Sequence, residues 1–210
     1  ANDPSAESAK AALDHALQLD PKSVLANTFM GLYWERQQEY PQAQHYLEQA
    51  IAINPDDPYL YSELGNIISK MGDLPAAQAT YEAAISHAPQ DPTFYRLLAQ
   101  FALENRIQLR ELALPAARQA LMLDQHDAAS LDMMAQVMIE LEDYHAAEEY
   151  CQQALAADST YSPAYLHLGT AYLFLGNSDL AYHWLGLAEK ATEIPWVADQ
   201  AGRMLDYYFP

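Results

Sequence analysis

Apolar residues recur along this chain at intervals of three and four, in segments of about a dozen residues. That spacing gathers them on one face of a helix and predicts a succession of amphipathic helices. Short breaks such as Met71-Gly72-Asp73 and Leu175-Gly176-Asn177 separate the segments. The pattern returns every 34 residues when aligned on Asp57-Pro58, Asp91-Pro92 and Ser162-Pro163. Five units result, 24–57, 58–91, 92–127, 128–161 and 162–195, the third being two residues longer.

Three columns of small residues run through the units. The eighth place reads Gly31, Gly65, Ala99, Ala135 and Gly169. The twentieth reads Ala43, Ala77, Ala113, Ala147 and Ala181, with the third unit counted back from its end. The twenty-seventh reads Ala50, Ala84, Ala120, Ala154 and Ala188. Small residues at helix crossings let two antiparallel helices approach at the short end of the roughly 8–10 Å interaxial range. Leu64, Ile68 and Tyr81, or Leu168, Tyr172 and Leu185, then fill the space beside them. Asp57, Asp91 and Ser162 are suited to cap helix starts, with Pro58, Pro92 and Pro163 at the first helical position. Pro21, Pro55 and Pro89 fall where second helices should stop.

This pattern resembles the tetratricopeptide repeat. Tyr61, Leu64, Gly65, Gly72, Ala77, Tyr81, Ala84 and Pro89 supply a nearly complete motif in the second unit. The resemblance implies an all-α fold, a right-handed superhelix (α-solenoid) of antiparallel helical hairpins with a concave, ligand-facing surface. The full units span 24–195, residues 4–23 read as a second helix alone, and 196–210 as a polar-faced terminal helix that caps a single array. The chain opens on Ala1 instead of Met, which suggests a piece with upstream residues cleaved or left out.

The resemblance also places groove-lining residues at places two, five, nine, twelve and thirteen of each first helix. The expected concave face is Tyr59, Ser62, Asn66, Lys70, Arg96, Gln100, Asp132, Gln136 and Thr170. A carboxamide donates and accepts, so Asn66, Gln100 and Gln136 could pair with the backbone of an extended peptide; the alternative is a solvated helix face. The family's carboxylate clamp needs Lys and Asn in its first helices and a later Arg. Here Thr28, Leu32, Glu63 and Leu97 occupy those places, which argues against a chaperone-tail ligand.

The third unit departs from the pattern over residues 106–115. Pro115 falls inside the expected second helix, where it would cost roughly 3 kcal/mol, so that helix is expected to start near Leu114. Ala102 and Ala117 leave room for Ile107, Leu109 or Leu112 to fold back.

Charge narrows the partners. The chain carries 10 Lys and Arg against 29 Asp and Glu, net −19, which disfavours nucleic acid and anionic membrane surfaces. Residues 92–118 are the exception: Arg96, Arg106, Arg110 and Arg118 face only Glu104 and Glu111. Arg106 and Arg110, with Arg96, therefore form a candidate docking island for an acidic group, or else pair within the chain. Elsewhere a basic or amphipathic protein segment is favoured. No apolar run reaches membrane-spanning length.

Catalytic chemistry has little to build on. No two of the seven histidines stand four apart, and the lone Cys151 sits at a core place. No phosphate-cradling glycine loop is present, and neither metal nor cofactor is expected. The reading is a non-enzymatic adaptor for a partner protein or peptide. The alternatives are a self-associating structural protein and a regulatory domain of a larger enzyme. Small bacterial arrays that assemble cytochromes, pili and secretion systems are analogous in fold. A single cysteine leaves the compartment open between cytoplasm and periplasm.

Overall fold

The computed structural model describes residues 4–210, so Ala1 to Asp3 of the expected array lie outside the described residues. Among the described residues are twelve α-helices and no strand. They are α1 (Pro4–Leu19), α2 (Val24–Arg36), α3 (Tyr40–Ile53), α4 (Pro58–Lys70), α5 (Leu74–His87) and α6 (Pro92–Glu104). A π-helical turn, Leu109–Ala113, precedes α7 (Leu114–Leu123). Then come α8 (Ala128–Glu140), α9 (Tyr144–Ala157), α10 (Ser162–Phe174), α11 (Ser178–Glu189) and α12 (Pro195–Tyr208).

Contacts divide the chain into two compact units, Ala1–Leu97 and Leu98–Pro210. In the first, α2 packs on α3 and α4 on α5, with α1 against α2 and α3 against α4. In the second, α8 packs on α9 and α10 on α11, while α12 covers α10 and α11.

The small-residue columns are the helix crossings. All ten alanines at places twenty and twenty-seven are 0% exposed. A Cβ added to Gly169 would lie 2.8 Å from Leu185 Cγ and 3.0 Å from the Leu185 backbone nitrogen. Both separations are well inside the roughly 3.5–4.0 Å of ordinary carbon contact.

The turn inside each unit closes through a left-handed residue at place fifteen. These residues are Gln38, Gly72, Arg106, Glu142 and Gly176, with φ of 61°, 87°, 52°, 63° and 78°. Only glycine adopts this conformation without steric cost. A second device ties consecutive units. The place-four side chain donates to the carbonyl six residues earlier: Tyr61 to Pro55 (2.9 Å), Tyr95 to Pro89 (3.2 Å), and Tyr165 to Ser159. Asn27 does the same to Pro21 with its amide, at 3.2 Å. Leu131 holds this place in the fourth unit and has no such group to offer.

Helix starts follow the sequence with one correction. Asp57 and Asp91 accept from the amides of Tyr59 and Thr93. Ser162 is not a cap: Tyr161 holds that place without capping the helix through its side chain, and Ser162 is the first helical residue. The Ser162 hydroxyl is buried with no partner among the described residues. In the third unit α7 begins at Leu114, which leaves Pro115 in its first turn, where no helical N–H is needed. Gln108 enters the π-helical turn with φ 46°, and its carbonyl accepts from Leu112 and Ala113. Leu112 is the connector residue that becomes buried; Ile107 and Leu109 are only half-buried.

Candidate functional site

The first helices of the second unit line a cavity of about 800 Å³. Gln100, Leu103 and Glu104 come from α6, and Gln136, Ile139 and Glu140 from α8. His167, Thr170 and Phe174 come from α10, and Trp196, Gln200, Met204 and Tyr208 from α12. Each set repeats at three- or four-residue steps, so each helix offers one stripe. The stripes change character across the unit. Those of α6 and α8 are carboxamides and carboxylates beside Leu103 and Ile139. Those of α10 and α12 carry Phe174, Trp196 and Tyr208, exposed to 51%, 51% and 45%.

The floor is a buried polar cluster. The Asp132 side chain is 2% exposed and lies 2.6 Å from His167 Nδ1. A carboxylate only accepts, so Nδ1 carries the proton. Gln136 Nε2 donates to the other Asp132 oxygen at 3.1 Å. Behind the cluster, burial pushes the Cys151 thiol well above its ordinary value, and the Asp132 and Glu148 charges add to the effect. Tyr172 is likewise raised, first by burial and then by its bond to Glu148. Cys151 is thus an inert core thiol, as its place in the repeat suggests.

Gln100 donates Nε2 to Glu104 at 2.8 Å. In both carboxamides of this face one of the two N–H donors is therefore spent on an acidic side chain. The carbonyl oxygen must be the remaining end, because oxygen against carboxylate would repel. Each carboxamide keeps its carbonyl oxygen and its second N–H, and the carboxylates of Glu104 and Glu140 beside them make the face one that chiefly accepts. Thr170 also spends its proton internally, on the Leu166 carbonyl at 2.8 Å.

The remaining expected residues are spread over both units. Within Ala1–Leu97, Tyr59 is exposed, its ring edge-on to the buried Phe94 at 5.0 Å. Ser62 is buried and donates to the Tyr59 carbonyl, so it leaves the expected surface. Asn66 and Lys70 converge on Glu35 Oε1 at 2.9 and 2.6 Å. Beside them Glu63 is held above the ordinary glutamate value by burial and by the Glu35 charge, with Lys70 opposing. Arg96 donates to the Thr93 hydroxyl at 3.2 Å. Within Leu98–Pro210, Arg106 stands 4.0 Å from Glu140, and Arg110 is exposed. The unit boundary after Leu97 separates Arg96 from Arg106 and Arg110. Among the described residues no group of three or more His, Cys, Asp or Glu could hold a metal ion, and no helix is long and apolar enough to cross a membrane.

A tetratricopeptide-repeat model matches residues 36–101 and 138–193, more than half of the chain. The chain belongs to the tetratricopeptide-repeat family. Solved structures agree in fold. Yeast Tom70 superposes with a TM-score of 0.76 at 18% identity, over 93% of this chain and 42% of Tom70. The chain thus spans less than half of that protein. PilW, a widely conserved type IV pilus biogenesis factor, gives 0.71 at 17% identity, over 92% of this chain and 89% of its own. YrrB, a tetratricopeptide-repeat protein with an unusual peptide-binding site, gives 0.55 at 16%, over 91% and 98%. No curated protein sequence matches.

In tetratricopeptide-repeat numbering, the residues that sequence reasoning missed are recoverable. Counting on past residue 195 puts Gln200, Met204 and Tyr208 at places five, nine and thirteen of a sixth first helix. The expected polar face of 196–210 is corrected on this side: α12 turns Trp196, Met204 and Tyr208 to the cavity. His167 had no signal of its own, because place six is not a groove place in the family pattern.

Proposed function

We propose that this chain is a non-enzymatic scaffold that holds a segment of a partner protein against the first-helix face of residues 98–210. The observation that carries the reading is the cavity of about 800 Å³ with Phe174, Trp196 and Tyr208 standing exposed along it. Large apolar side chains left in the open beside convergent polar groups are what a binding site requires. The partner is basic or amphipathic: the second unit has five Lys and Arg against sixteen Asp and Glu, net −11. Arg106 already faces Glu140 and Arg96 already donates to Thr93, so an acidic group would have to compete for both. YrrB's peptide-binding site and PilW's part in pilus biogenesis support the class of function, a protein-binding scaffold.

The test is affinity capture from native lysate with the parent chain and with Trp196→Ala/Met204→Ala. Both proteins should give the same helical circular-dichroism spectrum, and the variant should lose the captured partner. Capture that survives in a folded variant removes the groove from the mechanism.

A further inference from the structure

The stripes on α6, α8, α10 and α12 are graded, and the gradient specifies what they read. We propose that this face selects a segment with two basic residues at one end and an aromatic or aliphatic anchor about six residues away. The inference rests on the groove reading above and adds the partner's internal spacing.

At the α6–α8 end most of the spare hydrogen-bonding capacity accepts. Gln100 and Gln136 each spend one N–H on Glu104 and Asp132, which leaves a carbonyl oxygen with two lone pairs and one N–H apiece for a ligand. Glu104 and Glu140 flank them. Ammonium and guanidinium groups only donate, so Lys and Arg complement the carboxylates and amide oxygens of this end. The competing cation is Arg106, at 4.0 Å from Glu140, with its side chain 79% exposed. Exposed pairs of that kind contribute little, so an incoming cation can replace it.

At the α10–α12 end Phe174, Trp196, Met204 and Tyr208 form an apolar rim with no charged side chain lining the cavity beside them. That end takes a ring or a branched aliphatic side chain. From α8 through α10 to α12 are two helix-to-helix steps, roughly 16–20 Å at roughly 8–10 Å each. An extended segment covers that in about six residues at about 3.3 Å per residue. His167, fixed through Nδ1 by Asp132, stands in the cavity between the two ends.

The probes are three labelled peptides measured by fluorescence anisotropy with the full chain at low salt. One carries Lys-Lys, five Ser/Gly residues, then Trp-Leu. The second lacks the spacer, and the third replaces Lys-Lys by Ser-Ser. The spaced probe is expected to bind about ten-fold tighter than the other two. Glu104→Gln/Glu140→Gln should weaken it by about three- to ten-fold, an effect that about 0.5 M salt removes. Arg106→Gln should tighten it about two-fold. Trp196→Ala should weaken the spaced and the Ser-Ser probes alike.

Equal binding of spaced and unspaced probes overturns the proposal. So does indifference to the two glutamate substitutions. If binding in those cases still depends on Trp196, the groove reading stands alone. Failure of the spaced probe to bind at all also overturns the spacing rule, while Trp196-sensitive capture from lysate would keep the groove.

Discussion

Replacing His167 by Leu should be among the most damaging changes on the first-helix face of the second unit. Asp132 is 2% exposed and His167 12%, and they meet at 2.6 Å. The bond is between a carboxylate and a nitrogen donor, and Gln136, at 3.1 Å, shares the carboxylate. With the imidazole replaced by an apolar side chain, the buried carboxylate loses its shorter bond and keeps the Gln136 amide. Stranding one partner of a buried pair costs about 3–5 kcal/mol. At about 2–4 °C per kcal/mol for a chain of this size, melting should fall by about 6–20 °C.

The double variant Asp132→Leu/His167→Leu should recover most of that loss. A buried pair replaced by apolar side chains is often neutral, and the fifth unit already holds a fully buried Leu166 at the place of Asp132. Circular-dichroism melts at 222 nm and pH 7 on the parent, both singles and the double close the cycle. If His167→Leu melts within about 3 °C of the parent, the carboxylate is not isolated as described. If the double is no more stable than the single, packing of the ring matters more than the charge.

Packing and charge each give one more expected outcome. Gly169→Ala should destabilise by about 1–2 kcal/mol, since overpacking against a backbone atom outweighs the helix-propensity gain; Gly186→Ala, which meets nothing within 4 Å, should stabilise by about 0.5–1 kcal/mol. Equal shifts in melting temperature for the two would show that the α10–α11 crossing is loose. Glu63→Gln should raise stability at pH 7. The folded chain holds this proton more tightly than the unfolded one, so the wild-type penalty is absent below the ordinary glutamate value and grows as pH rises through the raised one. The variant's advantage should therefore vanish near pH 4, and an advantage unchanged between pH 4 and pH 7 would point to a cause other than titration.

The scaffold was legible because its constraints are local and repeated. An alanine at each helix crossing, a proline closing several of the second helices and a break inside each unit are all visible one residue at a time. The start of α7 at Leu114 was legible for the same reason, since a proline can stand only near the beginning of a helix. The polar chemistry was less so. How much donor capacity Asn66, Gln100 or Gln136 keeps depends on which acidic side chain reaches it. For Asn66 that partner is Glu35, 31 positions away. The Asp132–His167 pair spans 35 positions, and no periodic pattern announces a contact made once. The left-handed place was signalled where glycine fills it, at Gly72 and Gly176, and silent where Gln38, Arg106 and Glu142 do.

The two extra residues of the third unit enter between the left-handed Arg106 and the buried Ala113, after the first helix has ended and before the second begins. Length added at that point falls in the connector alone, and the π-helical turn takes up the difference before the next crossing. The residues of the proposed groove are all upstream of the seam within each repeat. A chain built this way can gain or lose residues in its connectors during evolution, or accept an engineered tag there, without rewriting the surface that chooses its partner.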